Sequence, residues 1–111
     1  MFDRYILVGH NPVLCDDLQV WIKDFDGKSW TVAKTTVNDI LVSTVFLGLS
    51  HGKTATGLPI LFETMIFGGE HDMYQTRCAT WDEAIKMHEA ALALVQANSK
   101  FGSNFPRTLG G

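Results

Sequence analysis

Three consecutive pieces decide the reading of this chain: ILVSTVFLGL (Ile40–Leu49), SHGKTATG (Ser50–Gly57) and LPILFETMIF (Leu58–Phe67). The outer two are rich in β-branched, aromatic and aliphatic residues and read as strands. The middle piece is rich in Gly, Ser and Thr and reads as the loop between them. One acid, Glu63, sits inside the second run with no other charge beside it. A carboxylate there borders buried surface whichever way the strand faces, so it needs a hydrogen-bond or charge partner.

Working outward, Asn38-Asp39 separates Ile40–Leu49 from Trp30–Val37, another β-rich run. Two residues that tolerate left-handed backbone between two such runs predict a tight hairpin. That register sets Val37 against Ile40, Thr35 against Val42 and Ala33 against Thr44. On the far side, Gly68-Gly69-Glu70-His71-Asp72 is a turn, and Met73–Cys78 is the last strand. Thr80-Trp81-Asp82-Glu83 has the spacing of a capping box. The helix it opens carries Trp81, Ala84, Ile85, His88, Ala91, Leu92 and Val95 on one stripe.

At the other end, Tyr5–Val8 is a short apolar strand stopped by Gly9. Asn11-Pro12 reads as a helix entry. Leu14, Leu18, Trp21, Ile22 and Phe25 then recur at helical spacing, with Gly27 as a C-cap. The expected order is therefore β-α-β-β-β-β-α, with helices near residues 12–25 and 80–97. This is an α+β domain, an antiparallel meander of four strands with Tyr5–Val8 available as a fifth, packed with two helices. Residues 1–97 form one domain, and residues 98–111, which lose periodicity, read as a poorly ordered tail.

The chain has 111 residues, 46% of them hydrophobic, and a net charge of −3. That suits one globular domain with its own core. The basic residues are scattered, so the reading is no nucleic acid. No run approaches the ~20 apolar residues of a membrane span, and no signal pattern opens the chain, so the expectation is a cytoplasmic protein with no membrane contact. Cys15 and Cys78 form no CxxC pair and read as apolar fillers in a reducing compartment.

The chemistry is less legible. Gly48-Leu49-Ser50-His51-Gly52-Lys53-Thr54 imitates a phosphate-binding loop, but it has three residues where four are required and it opens a strand instead of a helix. His51, Glu63, His71, Asp72 and His88 show no metal-ligand spacing, so neither a metal nor another cofactor is expected. His88 lies on the apolar helix stripe, where a satisfied core histidine is the ordinary case. Glu63 reads first as a structural carboxylate bonded to a hydroxyl, a Trp N–H or Arg77. The rival is a ligand pocket built from Glu63 with Ser50, His51 and Lys53 of the loop, which is taken to be mobile. No nucleophile–base pair stands out, so the catalytic set is empty and the reading leans away from an enzyme.

The strings Val42–Leu49 and Leu61–Gly69, followed by Thr80-Trp81-Asp82-Glu83-Ala84 and His88, resemble a group of small uncharacterised proteins encoded by tailed bacteriophages and by bacterial genomes with phage-like genes. The resemblance spans about Ser29 to His88 with the Trp21 helix. Members often carry an acid before the loop histidine, where this chain has Ser50. The resemblance implies a viral or prophage accessory role and no reaction type. The leading expectation is a phage-type accessory protein that binds another protein, a host factor among the candidates, in the host cytoplasm. The alternatives are the Glu63 pocket, as a small-molecule-binding or enzymatic domain, and a structural homo-oligomer subunit built through an uncovered sheet face or edge.

Overall fold

The computed structural model describes residues 3–27 and 30–104. Its elements are β1 (Tyr5–Val8), β2 (Asn11–Leu14), α1 (Leu18–Gly27), β3 (Thr31–Val37), β4 (Ile40–Phe46), β5 (Phe62–Phe67), β6 (Gln75–Cys78) and α2 (Trp81–Asn104). The fold is α+β, with a four-stranded antiparallel meander in the order β3-β4-β5-β6.

The Asn38-Asp39 hairpin forms in the expected register, Val37 opposite Ile40, Thr35 opposite Val42 and Ala33 opposite Thr44. Both turn residues take positive φ, 49° and 70°, as a type I′ turn requires. β4 then pairs with β5, Val42 against Ile66, Thr44 against Thr64 and Phe46 against Phe62. The ladder outlasts the strands. Leu47 N–H donates to the Leu61 carbonyl at 2.7 Å, His51 N–H to Ile60 at 2.9 Å and Thr54 N–H to Leu58 at 2.8 Å. The Ser50–Gly57 segment, expected as a mobile loop, is thus the bonded tip of a long hairpin, closed by Leu58 N–H on the Thr54 hydroxyl at 3.1 Å.

The N-terminal region differs from expectation. Asn11–Leu14 is not the start of a helix but a strand, paired with β1 in a separate two-stranded sheet, Leu7 opposite Pro12 and Ile6 opposite Val13. Gly9, with φ +63°, supplies the left-handed first turn position of this hairpin. Pro12 lacks an N–H but sits on an edge strand, where that costs little. The helix starts later because Asp17 caps it, its Oδ1 accepting from the N–H groups of Gln19 (2.9 Å) and Val20 (3.2 Å). β1 does not become a fifth member of the meander. It meets the β4–β5 hairpin through an isolated bridge between Arg4 and Leu49. At the other end, α2 runs on to Asn104, past the expected end near residue 97. Residues 105–111, the rest of the expected tail, lie outside the described residues.

One face of the meander is covered. Phe62, Thr64 and Ile66 of β5 are buried on it, with Val42, Thr44 and Phe46 of β4. Against them α2 presents Ala84, His88, Ala91 and Val95, each at most 4% exposed. The alanines leave room for the helix to approach the sheet. The core has two apolar clusters: Val42, Ile66, Ala91 and Val95 at one end, and Phe46, Leu61, Phe62 and Ala84 at the other. Tyr5 and Leu7 of β1 pack on the second cluster, so the N-terminal hairpin lies on the same side as α2. Each fully buried Phe, Leu or Ile here contributes about 1.5–3 kcal/mol. The capping box forms as read: Glu83 N–H donates to the Thr80 hydroxyl, and Thr80 N–H to Glu83 Oε1, both at 3.2 Å.

Gly48 joins the parts. Its carbonyl accepts from Tyr5 N–H at 2.8 Å and from the Trp21 indole N–H at 3.2 Å. A Cβ there would lie 2.2 Å from two ring carbons of Trp30, and φ is +76°. Gly57 also has positive φ, +87°, but open space around it. Gly48→Ala is therefore expected to cost ~3 kcal/mol or more, from overpacking plus backbone strain, and Gly57→Ala about 1 kcal/mol from strain alone. Urea melts of the two variants check the ranking. In the same melts Thr80→Ala should lose about 1 kcal/mol, because it removes the acceptor for Glu83 N–H.

Candidate functional site

β5 sets the position of Glu63 between Val45 of β4 and Arg77 of β6. Strand alternation turns it away from α2, onto the second face of the meander. Its side chain is nevertheless only 14% exposed. Oε2 accepts from Arg77 Nε at 3.0 Å and from the Gln75 side-chain amide. The expectation of a mostly buried carboxylate bonded across strands holds, and the group that answers it is Arg77.

Ser50, His51 and Lys53 are not gathered around Glu63. They lie further along the β4–β5 hairpin, held by backbone bonds: Ser50 N–H to the Asp3 carbonyl at 3.0 Å, His51 N–H to Ile60, and Lys53 in a bridge with Pro59. Asp72 accepts from Gly68 N–H at 2.7 Å and so shapes its own turn. Among the described residues no group of three His, Cys, Asp or Glu is placed to hold a metal ion. Cys15 and Cys78 are free thiols. Burial, opposed by hydrogen bonding with the Thr80 backbone and reinforced by the Glu83 charge, pushes the Cys78 thiol up to about 11. At neutral pH it is protonated and a poor nucleophile.

Two adjoining clefts lie elsewhere, where the N-terminal hairpin meets the start of α2. One, of about 190 Å³, is lined by Tyr5, Pro12, Leu58, Pro59, Leu61, Ala79 and Thr80. The other, of about 300 Å³, is lined by His10, Asn11, Pro12, Thr80, Trp81 and Asp82. His10 stacks on Trp81 with ring centroids 3.8 Å apart and planes 3° from parallel. At the helix start Glu83 Oε1 accepts from both Ala79 and Thr80 N–H, which engages those two donors with a negative charge of the chain itself. Reading Asn11-Pro12 as a helix entry hid these clefts. Gly9-His10 between two short apolar runs is the signal that could have exposed them.

The second face of the meander lies outside the core. Across the strands it carries three rows: Thr36, Leu41 and Phe67; Lys34, Ser43, Met65 and Gln75; Thr31, Val45, Glu63 and Arg77. Its two central strands carry Leu41, Val45, Met65 and Phe67 interleaved with Ser43 and Glu63, and its outer strands carry polar residues. Phe67 is 41% exposed. α2 and the N-terminal hairpin both lie on the opposite face, and no described element packs on this one.

The Glu63–Arg77 pair is partly exposed, with Arg77 at 40%, so its coupling is small. A double-mutant cycle with Glu63→Ala and Arg77→Ala, read by denaturant melts, should give about 0.5–1 kcal/mol at low salt and less at 1 M salt. Coupling near zero at low salt would show that the pair holds nothing. Comparison of the chain with family models, curated proteins and solved structures finds no match, so its role has to be read from its own geometry.

Proposed function

We propose that this chain is a phage-type accessory protein that acts by binding another protein, and that the second face of its meander is the contact surface. The observation that supports this is the one-sided architecture. Both packing units sit on the first face, and the second carries Leu41, Val45, Met65 and Phe67, interleaved with Ser43 and Glu63 and flanked by Lys34, Gln75 and Arg77. An uncovered face that mixes apolar and polar side chains has the composition of a non-obligate protein interface. The resemblance of the β4 and β5 strings to phage-encoded proteins supports the accessory role, with a host factor in the host cytoplasm as the partner class. The rival pocket on Glu63 is weakened, because the carboxylate already accepts from Arg77 and Gln75. Self-association through the same face is the structural alternative.

Met65→Lys and Phe67→Lys test this reading, since both change the second face and leave the core stripe of β5 intact. Each should shift stability by no more than about 1 kcal/mol. Each should abolish capture of a host-lysate protein by the immobilised chain, or, for self-association, convert a dimer into a monomer in analytical ultracentrifugation. Folded variants that capture the same protein and keep the same mass as the wild type would end the reading.

A further inference from the structure

His88 occupies an unusual position for a titratable group. It is 4% exposed and lies midway along the buried stripe of α2, between Ala84 and Ala91. Its Nδ1 is 2.8 Å from the Thr44 hydroxyl and its Nε2 is 3.0 Å from the Thr35 hydroxyl. Thr44 in turn meets Thr64 at 2.5 Å. Beyond Thr64, on β6, the Thr76 hydroxyl is buried without a partner.

The hydroxyls can serve a neutral ring in either tautomer, because each both donates and accepts. They could also serve a charged ring, with Thr35 and Thr44 accepting and the proton of Thr44 turning to Thr64. Hydrogen bonding therefore does not forbid protonation. Charge burial opposes it. β3, β4, β5 and β6 face the imidazole with Thr35, Thr44, Thr64 and Thr76, none of them ionised. Lys34, Glu63 and Arg77 belong to the other face of the sheet. Tyr74 and Cys78 belong to the two flanking apolar clusters. On α2 itself, Glu89 is exposed and exerts only a weak opposite pull. No carboxylate meets the ring, so a positive charge there is unpaired.

We propose that His88 is an acid-sensitive latch between α2 and the sheet: on gaining a proton it weakens the seating of α2 on β3, β4 and β5 and opens the core face of the meander in mildly acidic surroundings. The direction follows from linkage. Burial lowers the pKa of His88 in the seated state below the ordinary 6.5 that it regains when α2 lifts. The seated state then binds fewer protons than the open one. Its full stability is present above pH 6.5 and is lost as pH falls through that value, levelling off below the depressed pKa. Within that window each pH unit multiplies the open population by up to about tenfold.

Hydrogen exchange between pH 8 and pH 5, corrected for intrinsic rates, reads the opening of α2 directly. In the wild-type chain the opening constant of the α2 amides should rise by up to about tenfold per pH unit below pH 6.5. In His88→Gln, which keeps a polar side chain but cannot titrate, that rise should be absent. His10, His51 and His71 are common to both chains and cancel in the comparison. Equal pH responses in the two chains would overturn the latch. Should His88→Gln fail to fold, the ring resonances of His88 in the wild-type chain decide: titration well below 6.5 supports the proposal, and titration at the ordinary value overturns it.

Discussion

The hydrogen-bonded row that runs from Thr35 through His88 and Thr44 to Thr64 is the constraint on which the packing of this protein depends. It lies between two apolar clusters that would otherwise be one undivided layer. On the strands, Thr44 separates Val42 from Phe46 and Thr64 separates Ile66 from Phe62. On the helix, His88 separates Ala91 from Ala84. Apolar contact alone is non-directional, and the buried surface of α2 is partly alanine, which discriminates poorly between neighbouring registers. A helix shifted or turned by one residue would bury much the same methyl groups. It would also take both ring nitrogens from their partners and leave the Thr35 hydroxyl without its own, with Thr44 and Thr64 bonded only to each other, at about 1–3 kcal/mol for each group left unsatisfied. The polar row therefore selects one seating of α2, and the clusters on either side stabilise it.

A second junction ties the remaining chain to that frame. Gly48 ends the strand region of β4 with a carbonyl that two separate elements reach, β1 through Tyr5 and α1 through Trp21. The ring of Trp30 fills the space where a side chain at Gly48 would stand. Trp30 also meets Trp21 and Phe46 edge-on, so the aromatic contacts run from α1 into the core. This has a consequence for α1. At ten residues it is too short to persist alone in water. Trp21 and the contact of Asp24 with the Trp30 indole hold it in place. Leu18 and Ile22, on the same stripe by spacing, remain 46% and 40% exposed.

The parts legible in the sequence were those decided by local chemistry. Asn38-Asp39 could only be a primed turn, and with it came the register of three cross-strand pairs. Thr80 and Glu83 stated the start of α2 by spacing alone. The alternation of β5 put Glu63 off the Phe62–Ile66 face, and a lone carboxylate there had to find a donor. The parts that were misread were decided by competition between two locally reasonable outcomes. Leu14 fits the helical period of α1, yet Gly9 and the edge position of Pro12 allow a hairpin, and pairing with β1 wins. Ser50–Gly57 has a loop composition, but its backbone groups continue the ladder because Ile60 and Leu61 stay in register with the far strand. Neither outcome is written in one residue. The His88 row was hidden for another reason: the sequence shows a histidine on an apolar stripe, and only the register of β3, β4 and β5 reveals that Thr35 and Thr44 converge on it, with Thr64 behind Thr44.

These two levels of organisation bear differently on what the molecule can do. The first face of the meander is closed by α2, and its polar groups are committed to one another, so chemistry there requires α2 to move. The Cys78 thiol is protonated and partly buried, the Glu63 carboxylate is held by β6, and Ser50, His51 and Lys53 are spread along a bonded hairpin. The second face of the meander is built differently. Its apolar side chains, Leu41, Val45, Met65 and Phe67, alternate away from the core, and no described element packs on them. Surface of that kind weakens solubility unless contact with another molecule gives it a use. That asymmetry, a face sealed by a specific polar row against a face on which no described element packs, is what supports the proposal of recognition.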